Sequence, residues 1–324
     1  MKISEELLRQ IKSDLGLNAP FIKGQRIIVR NCWHFYTDGS AVDVMFYDIE
    51  DFKYGMNSVY IVLQKYGIII LAFVLMDNHI HFVLYGDFDA CKRFMHDYVK
   101  RLSQRIGIRH GDRNKLDNIN IGYQQVDTDE YLKTVICYVV KNPSAGGVPF
   151  MGWYYPWSSG PLYFVPDKSW TIPAWADGTQ SNCFQDVGSL TVKGRAKVLG
   201  TNLPVEDSIK MIDGMIFPGE YVAVDIVHRI FKTCKSYNYF MCRTREDDVD
   251  SRGGIISNLS IPIQELRQHR TEICKEMFGK NAMNTLTTQQ RIALARAMRR
   301  KFNSSPKQIA KACGLIYDEV KNLI

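Results

Sequence analysis

The apolar run Ile68–Met76 stops at Asp77-Asn78 and restarts as His79-Ile80-His81-Phe82-Val83, and no other stretch limits the fold as tightly. The run is rich in Ile, Val and Phe. It is far short of the roughly 20 apolar residues that a membrane helix needs, so it reads as a buried strand. Strands at 68–76 and 79–85, split by two turn-forming residues, predict a hairpin or a bulged continuation. Side chains on a strand alternate, so His79 and His81 share one face while Ile80 enters the core. Two imidazoles about 7 Å apart along a strand can meet on one ion when a third ligand arrives from another element. The plain alternative is two polar residues on a wet strand face.

The chain of 324 residues has room for two domains, or for one domain with an appendage. Its 46% hydrophobic and 12% aromatic content is enough for a packed core. The eight cysteines are scattered without a CxxC pair, which predicts reduced thiols in a cytoplasmic protein rather than a disulfide framework or a structural zinc. The first residues are polar and charged, unlike a signal peptide, and no apolar run approaches spanning length, so no membrane association is expected.

Around the His pair the patterning alternates between the two regular structures. A short helix is expected at 4–16, a strand at 26–36, a helix at 49–65 ending before Gly67, a helix at 89–106 and a strand at 119–126. A further helix should start at Asp127 or Thr128 as N-cap, with Asp129 and Glu130 in its first turn, and end by Pro143. The order strand, helix, strand, strand, helix, strand predicts an α+β fold, a ferredoxin-like split βαβ antiparallel sheet with helices. Residues 150–185 read as irregular structure packed on that domain, and 186–260 give little periodic signal.

The net charge of +7 is unevenly placed. In residues 281–324 Lys and Arg outnumber Asp and Glu by eight to two. A second basic stretch carries Lys92, Arg93, Lys100, Arg101, Arg105 and Arg109, then Arg113 and Lys115, against Asp97 and Asp112. Two basic segments suit two contacts with a polyanion, although each also suits a solvated helix face. The tail adds a pattern to its charge. A helix capped by Thr287 or Thr288 ends at Arg299-Arg300-Lys301, and a second begins near Pro306. That second helix places Ala310 before Gly314 and Val320, the spacing of a helix-turn-helix in an all-α C-terminal module.

Together, Phe73-Val74-Leu75-Met76-Asp77-Asn78-His79-Ile80-His81-Phe82-Val83 and Tyr138-Val139-Val140-Lys141-Asn142-Pro143, followed by Ala145-Gly146, resemble the motifs of the REP-associated tyrosine transposase branch of the single-tyrosine HUH transposases. Trp33-His34-Phe35-Tyr36-Thr37 is similar to the family's first strand, and Tyr155-Pro156-Trp157-Ser158-Ser159 to its segment after the tyrosine helix. The resemblance covers about residues 25–165 and the tail. It departs at Asp77, where the family often has Pro, and before Asn142, where it often has a second polar residue.

The resemblance implies that Tyr138 attacks a phosphodiester of single-stranded DNA, forming a 5′-phosphotyrosine and releasing a 3′-hydroxyl. It further implies that His79, His81 and Asn142 hold Mg²⁺ or Mn²⁺ beside the scissile phosphate. Tyr138 and Asn142 are four residues apart and so share a helix face. Tyr131, one heptad earlier, is the competing nucleophile, but Val135 stands at its i+4 position. His34 reads as a structural or DNA-contacting residue, and Trp33 and Tyr36 as core aromatics or as platforms for unpaired bases. Expected partners are a single-stranded hairpin or palindromic repeat, with the protein nucleoid-associated and either monomeric or a homodimer. Phosphate contacts are expected from Lys92, Arg93, Lys100, Arg101, Arg105 and Arg109, and in the tail from Arg299, Arg300, Lys307, Lys311 and Lys321.

The layout expected is an N-terminal arm at 1–24, a transposase domain at 25–185, a connecting region at 186–260 and a helical DNA-binding module at 261–324. Two rival functions stay open. One is a regulator that keeps the fold and binds DNA without transposing it. The other is a phosphoryl hydrolase with a histidine nucleophile, which needs more histidines than the sequence places near His81, since the next is His96.

Overall fold

The computed structural model describes residues 4–20, 26–38, 42, 44–111, 116, 119–145, 152–164, 184–244, 249, 263–280, 283–301, 306–320 and 323. Internal contacts divide the chain into two units, residues 1–245 and 246–324.

The first unit is α+β. After helix α1 (Glu5–Asp14) come β1 (Cys32–Thr37), α2 (Ile49–Leu63), β2 (Ile69–Leu75), β3 (Ile80–Tyr85), α3 (Phe88–His110), β4 (Ile121–Gln125) and α4 (Asp129–Ala145). The four strands form one sheet in the order β2-β3-β1-β4, every pair antiparallel. β2 and β3 are buried along their whole length, β2 as its unbroken apolar sequence requires and β3 with His81 among its buried residues. Helix starts follow their caps: the Asp48 and Asp87 carboxylates accept from the N–H groups of Asp51 and Ala90, and open α2 and α3. α3 ends at Gly111, whose φ of 76° lies in the left-handed region.

The two sheet faces are covered by different helices. Phe82 packs its ring on Phe94 and Tyr98 of α3, whereas its neighbour His81 meets Tyr138 of α4. The segment after α4 runs along the outer edge of β2. Leu75 N–H donates to the Trp157 carbonyl at 2.8 Å, and Ser159 N–H to that of Phe73 at 3.0 Å, so the sheet edge is not left open. Gly152 is required there, because a Cβ would fall 1.9 Å from the Val140 carbonyl oxygen.

Two expectations need correction. α4 does not end by Pro143 but carries it inside, through Ala145. Proline in the last turn forfeits one hydrogen bond only, and the packing of α4 on β2 outweighs that loss. Residues 184–244 are also no mere connection, since they belong to the first unit. They form the sheet β5-β6-β7 (Gln185–Asp186, Lys210–Ile212, Met215–Ile216) and helices α5 (Val192–Leu199), α6 (Val224–Phe231) and α7 (Cys234–Arg243). The buried Asn57 of α2 ties them down: its amide donates to the carbonyls of Val198 and Gly214 and accepts from Ile216 N–H. The remainder of 186–260 lies largely outside the described residues.

The second unit is helical: α8 (Ile263–Phe278), α9 (Thr288–Lys301), α10 (Pro306–Ala312) and α11 (Tyr317–Val320). Leu266, Ile273, Leu294, Met298 and Ile309 are among the residues of its own core. α10 closes through Gly314 (φ 63°): Leu315 N–H donates to the Ala310 carbonyl and Gly314 N–H to that of Lys311. Arg270 donates to the Ala312 carbonyl and Arg291 to that of Gly314, satisfying acceptors that the helix end leaves open. Among the described residues, no helix is long and apolar enough to cross a membrane.

Candidate functional site

β1 and β3 pair so that Tyr36 stands opposite His81 and His34 opposite Val83. His34, Tyr36 and His81 therefore share a face, with His34 diagonal to His81. His79 lies one residue before β3 and His81 one residue inside it. The turn between β2 and β3 is closed by Met76 N–H donating to the His79 carbonyl at 2.8 Å.

α4 brings the other half. Its N-terminus is fixed by Thr128, whose Oγ1 accepts from Tyr131 N–H, and its apolar side (Leu132, Val135, Ile136, Val139, Val140) is buried. That anchoring carries Tyr138 and Asn142 onto the histidines. The Tyr138 ring stands edge-on to His34 and His81, with centroids 5.8 and 5.4 Å apart. Asn142 Oδ1 is 2.9 Å from His79 Nε2, and Asn142 Nδ2 is 3.2 Å from His81 Nε2. The four residues singled out from sequence, His79, His81, Tyr138 and Asn142, thus lie together. Tyr131 does not join them, because its hydroxyl donates to Gln124 Oε1 and it is buried.

A fifth residue belongs to the cluster. His34 Nε2 is 3.1 Å from His81 Nδ1, and the rings stack at 5.2 Å. Sequence reasoning noted His34 but gave it no link to the pair, because the link depends on β1 lying beside β3. Burial pushes His34 down to about 3. Burial likewise holds His81 well below the usual imidazole range, with His79 and His34 adding to the effect. His79 is also lowered by burial, against its hydrogen bond with the Asn142 amide oxygen and the charges of Asp77 and Asp38. All three rings are therefore neutral at pH 7, and each keeps one nitrogen lone pair.

Which nitrogen keeps it bears on chemistry. Asn78 Oδ1 lies 2.7 Å from His79 Nδ1 and accepts from it in the tautomer with the proton on Nδ1. In that tautomer the lone pair on His79 Nε2 faces the Asn142 oxygen at 2.9 Å, an arrangement that a cation between the two satisfies. The donor set fits a divalent cation: two neutral imidazoles and an amide oxygen leave positions open for phosphate oxygens. The hydrogen bond from Asn142 Nδ2 to His81 would have to yield to such an ion. Among the described residues, no group of three or more His, Cys, Asp or Glu side chains is arranged to hold a metal.

The expected phosphate-contacting residues divide. Lys92, Arg93 and Lys100 are exposed on α3. Arg101 and Arg109 are not available as expected. Arg101 donates to Ser58 Oγ and to the carbonyls of Leu199 and Gly200, and stacks with Arg105 on Tyr54. Arg109 pairs with Asp48 at 2.8 Å and with the buried Asp51. The cause is the helical repeat, which turns this side of α3 inward onto α2. In the second unit Arg299, Lys307 and Lys311 are exposed, while Lys321 and the Arg300 side chain lie outside the described residues. Trp33 donates to the Gly86 carbonyl and packs on Phe88, so it serves the core.

No protein-family model matches the chain, and no curated protein does. Among solved structures it is similar to one described as "Structure of the REP associates tyrosine transposase bound to a REP hairpin", with 13% identity, 60% of this chain and 100% of that chain covered, and a TM-score of 0.31. A likeness of that size carries no argument about function, which rests on the geometry of the cluster.

Proposed function

We propose that the first unit is a single-stranded DNA nuclease and strand transferase acting through Tyr138, built on a ferredoxin-like split βαβ sheet. The observation that carries this reading is the meeting of Tyr138 and Asn142, one helix turn apart, with His79 and His81 on the facing strand. A phenol beside two neutral imidazoles and an amide oxygen matches phosphoryl transfer better than binding alone.

In this reading His79, His81 and Asn142 would hold Mg²⁺ or Mn²⁺, which when bound polarises the scissile phosphate and offsets its developing charge. Asn78 and His34 hold the two metal-facing imidazoles in orientation. Tyr138 Oη attacks phosphorus. The Tyr–O–P bond forms, the P–O3′ bond breaks, the phenol proton leaves and the 3′-oxygen gains one. One phosphodiester replaces another, so a later 3′-hydroxyl reverses the step without a nucleotide cofactor. Lys92, Arg93 and Lys100, exposed on α3, would meet phosphates of a strand that passes beyond the cluster, and Arg299, Lys307 and Lys311 would hold a helix-turn-helix of the second unit on DNA. Hairpin or palindromic DNA is the proposed substrate.

The test is incubation of the purified chain with labelled single-stranded hairpin DNA and Mn²⁺, followed by denaturing electrophoresis. The expected result is a covalent adduct lost in Tyr138→Phe and kept in Tyr131→Phe. An adduct that persists in Tyr138→Phe would falsify the assignment of the nucleophile.

A further inference from the structure

The C-terminal turns of α1 and α6 face each other across a concavity of about 360 Å³ lined by Lys12, Leu17, Asn18, His228, Arg229 and Lys232. Among the described residues no acidic side chain lines it. Among the described residues none of Lys12, Arg229 and Lys232 takes part in an ion pair, whereas Lys53, Lys65, Lys133 and Lys210 do. Three cations gathered in one concavity repel one another, and a bound anion relieves that repulsion.

Hydrogen bonds hold both walls. α1 closes through Gly16 (φ 65°), with Leu17 N–H donating to the Lys12 carbonyl at 2.9 Å, and Asp14 accepts from Asn31, Gln10 and the Tyr85 hydroxyl. Those bonds hold the turn that carries Lys12, Leu17 and Asn18. On the other wall, two non-glycine residues in the left-handed region, Phe164 (φ 57°) and Lys232 (φ 64°), both bond to His228. Phe164 N–H donates to His228 Nε2 at 3.0 Å and Lys232 N–H to its carbonyl at 2.8 Å. Such backbone costs free energy, and here it directs Lys232 toward the concavity. With Nε2 accepting, the neutral ring carries its proton on Nδ1 and is a donor there.

Charge arithmetic decides the sign. Each helix C-terminus contributes roughly half a negative charge, about one in all, against three cations, so the concavity is positive by about two charges. That matches two negative charges, supplied by one terminal phosphate or by two neighbouring backbone phosphates.

We infer that the concavity between α1 and α6 is a phosphate-binding site, separate from the Tyr138 cluster. The phosphate can come from the backbone of a nucleic acid or from a small phosphorylated anion, and the two sources are separable by experiment.

Inorganic pyrophosphate is titrated into the full chain by calorimetry, and in parallel a labelled single-stranded oligonucleotide is bound at several salt concentrations. Arg229→Gln with Lys232→Gln is expected to lower pyrophosphate affinity at least tenfold, whereas Lys193→Gln, an exposed cation on α5, leaves it unchanged. Lys232→Gly removes charge while suiting the positive φ, so it should lose affinity without losing thermal stability. If nucleic acid is the source, the double variant also reduces the slope of log affinity against log salt by about two. An unchanged slope with lost pyrophosphate binding identifies a small anion. Equal pyrophosphate affinity in the chain, in the double variant and in Lys232→Gly overturns the site. Tyr138→Phe must bind pyrophosphate as the unaltered chain does, so failure of the nuclease reading and failure of this one give different results.

Discussion

His34 Nε2 lies 3.1 Å from His81 Nδ1, and this contact between β1 and β3 decides which nitrogen His81 turns toward Asn142. When His81 donates to His34, its Nε2 lone pair is free to face a cation. His34→Ala should therefore weaken Mn²⁺ binding on the order of tenfold, read by electron paramagnetic resonance, while His34→Gln recovers part of it. Mn²⁺ affinity indifferent to both changes would remove His34 from any positioning role.

The same burial makes stability depend on pH. His34 sits at about 3 when folded, well below the ordinary imidazole value, and His79 and His81 are lowered too. Below about pH 6.5 the unfolded chain binds protons that the folded chain refuses. Stability is thus full above that pH and falls as pH drops toward 3, by up to about 1.4 kcal/mol per unit for each such histidine. Urea melts from pH 7 to 5 should show this slope, reduced in His34→Gln. A flat profile over that range would contradict the burial of neutral rings.

Arg101 and Lys100 are neighbours with opposite duties. Arg101 makes three hydrogen bonds that fasten the end of α5 to α2 and α3, so Arg101→Ala should cost about 2–3 kcal/mol in chemical unfolding. Lys100 is exposed, and Lys100→Ala should leave stability within about 0.5 kcal/mol. Its effect should appear in DNA binding, lowering the salt slope by about one. The reverse assignment of the two phenotypes would overturn this division of α3.

Tyr131 and Tyr138 test the two hydroxyls of α4. Tyr131→Phe removes the bond to Gln124 and should cost about 1 kcal/mol, with adduct formation retained. Tyr138→Phe should leave Mn²⁺ binding and stability nearly unchanged while adduct yield falls below detection. Loss of Mn²⁺ binding in Tyr138→Phe would show the phenol to be part of the support for the cluster, not its nucleophile.

Much of this was legible in the chain because the informative signals are local. The unbroken apolar run of β2 predicts a buried strand, period two puts His79 and His81 on one side, and the i, i+4 relation puts Tyr138 and Asn142 together. The limit of α4 was misjudged because proline's local penalty is small in a last turn that tertiary packing holds. Residues 184–244 were opaque because their elements are short and lack a periodic stripe. They are held by long-range bonds from Asn57 and Arg101, which no window along the sequence contains.

By itself, then, the sequence determined the element types, the shared faces of the two residue pairs and the presence of two basic segments. Only tertiary structure decided that β1 lies between β3 and β4, which seats His34 against His81 and leaves Tyr131 bonded to Gln124. It also decided which cations of α3 are spent inside the protein and which three converge between α1 and α6. The physical reason is common to these cases. Periodicity sets the direction of a side chain relative to its own backbone, whereas its partner is set by strand order and helix packing between residues distant in sequence.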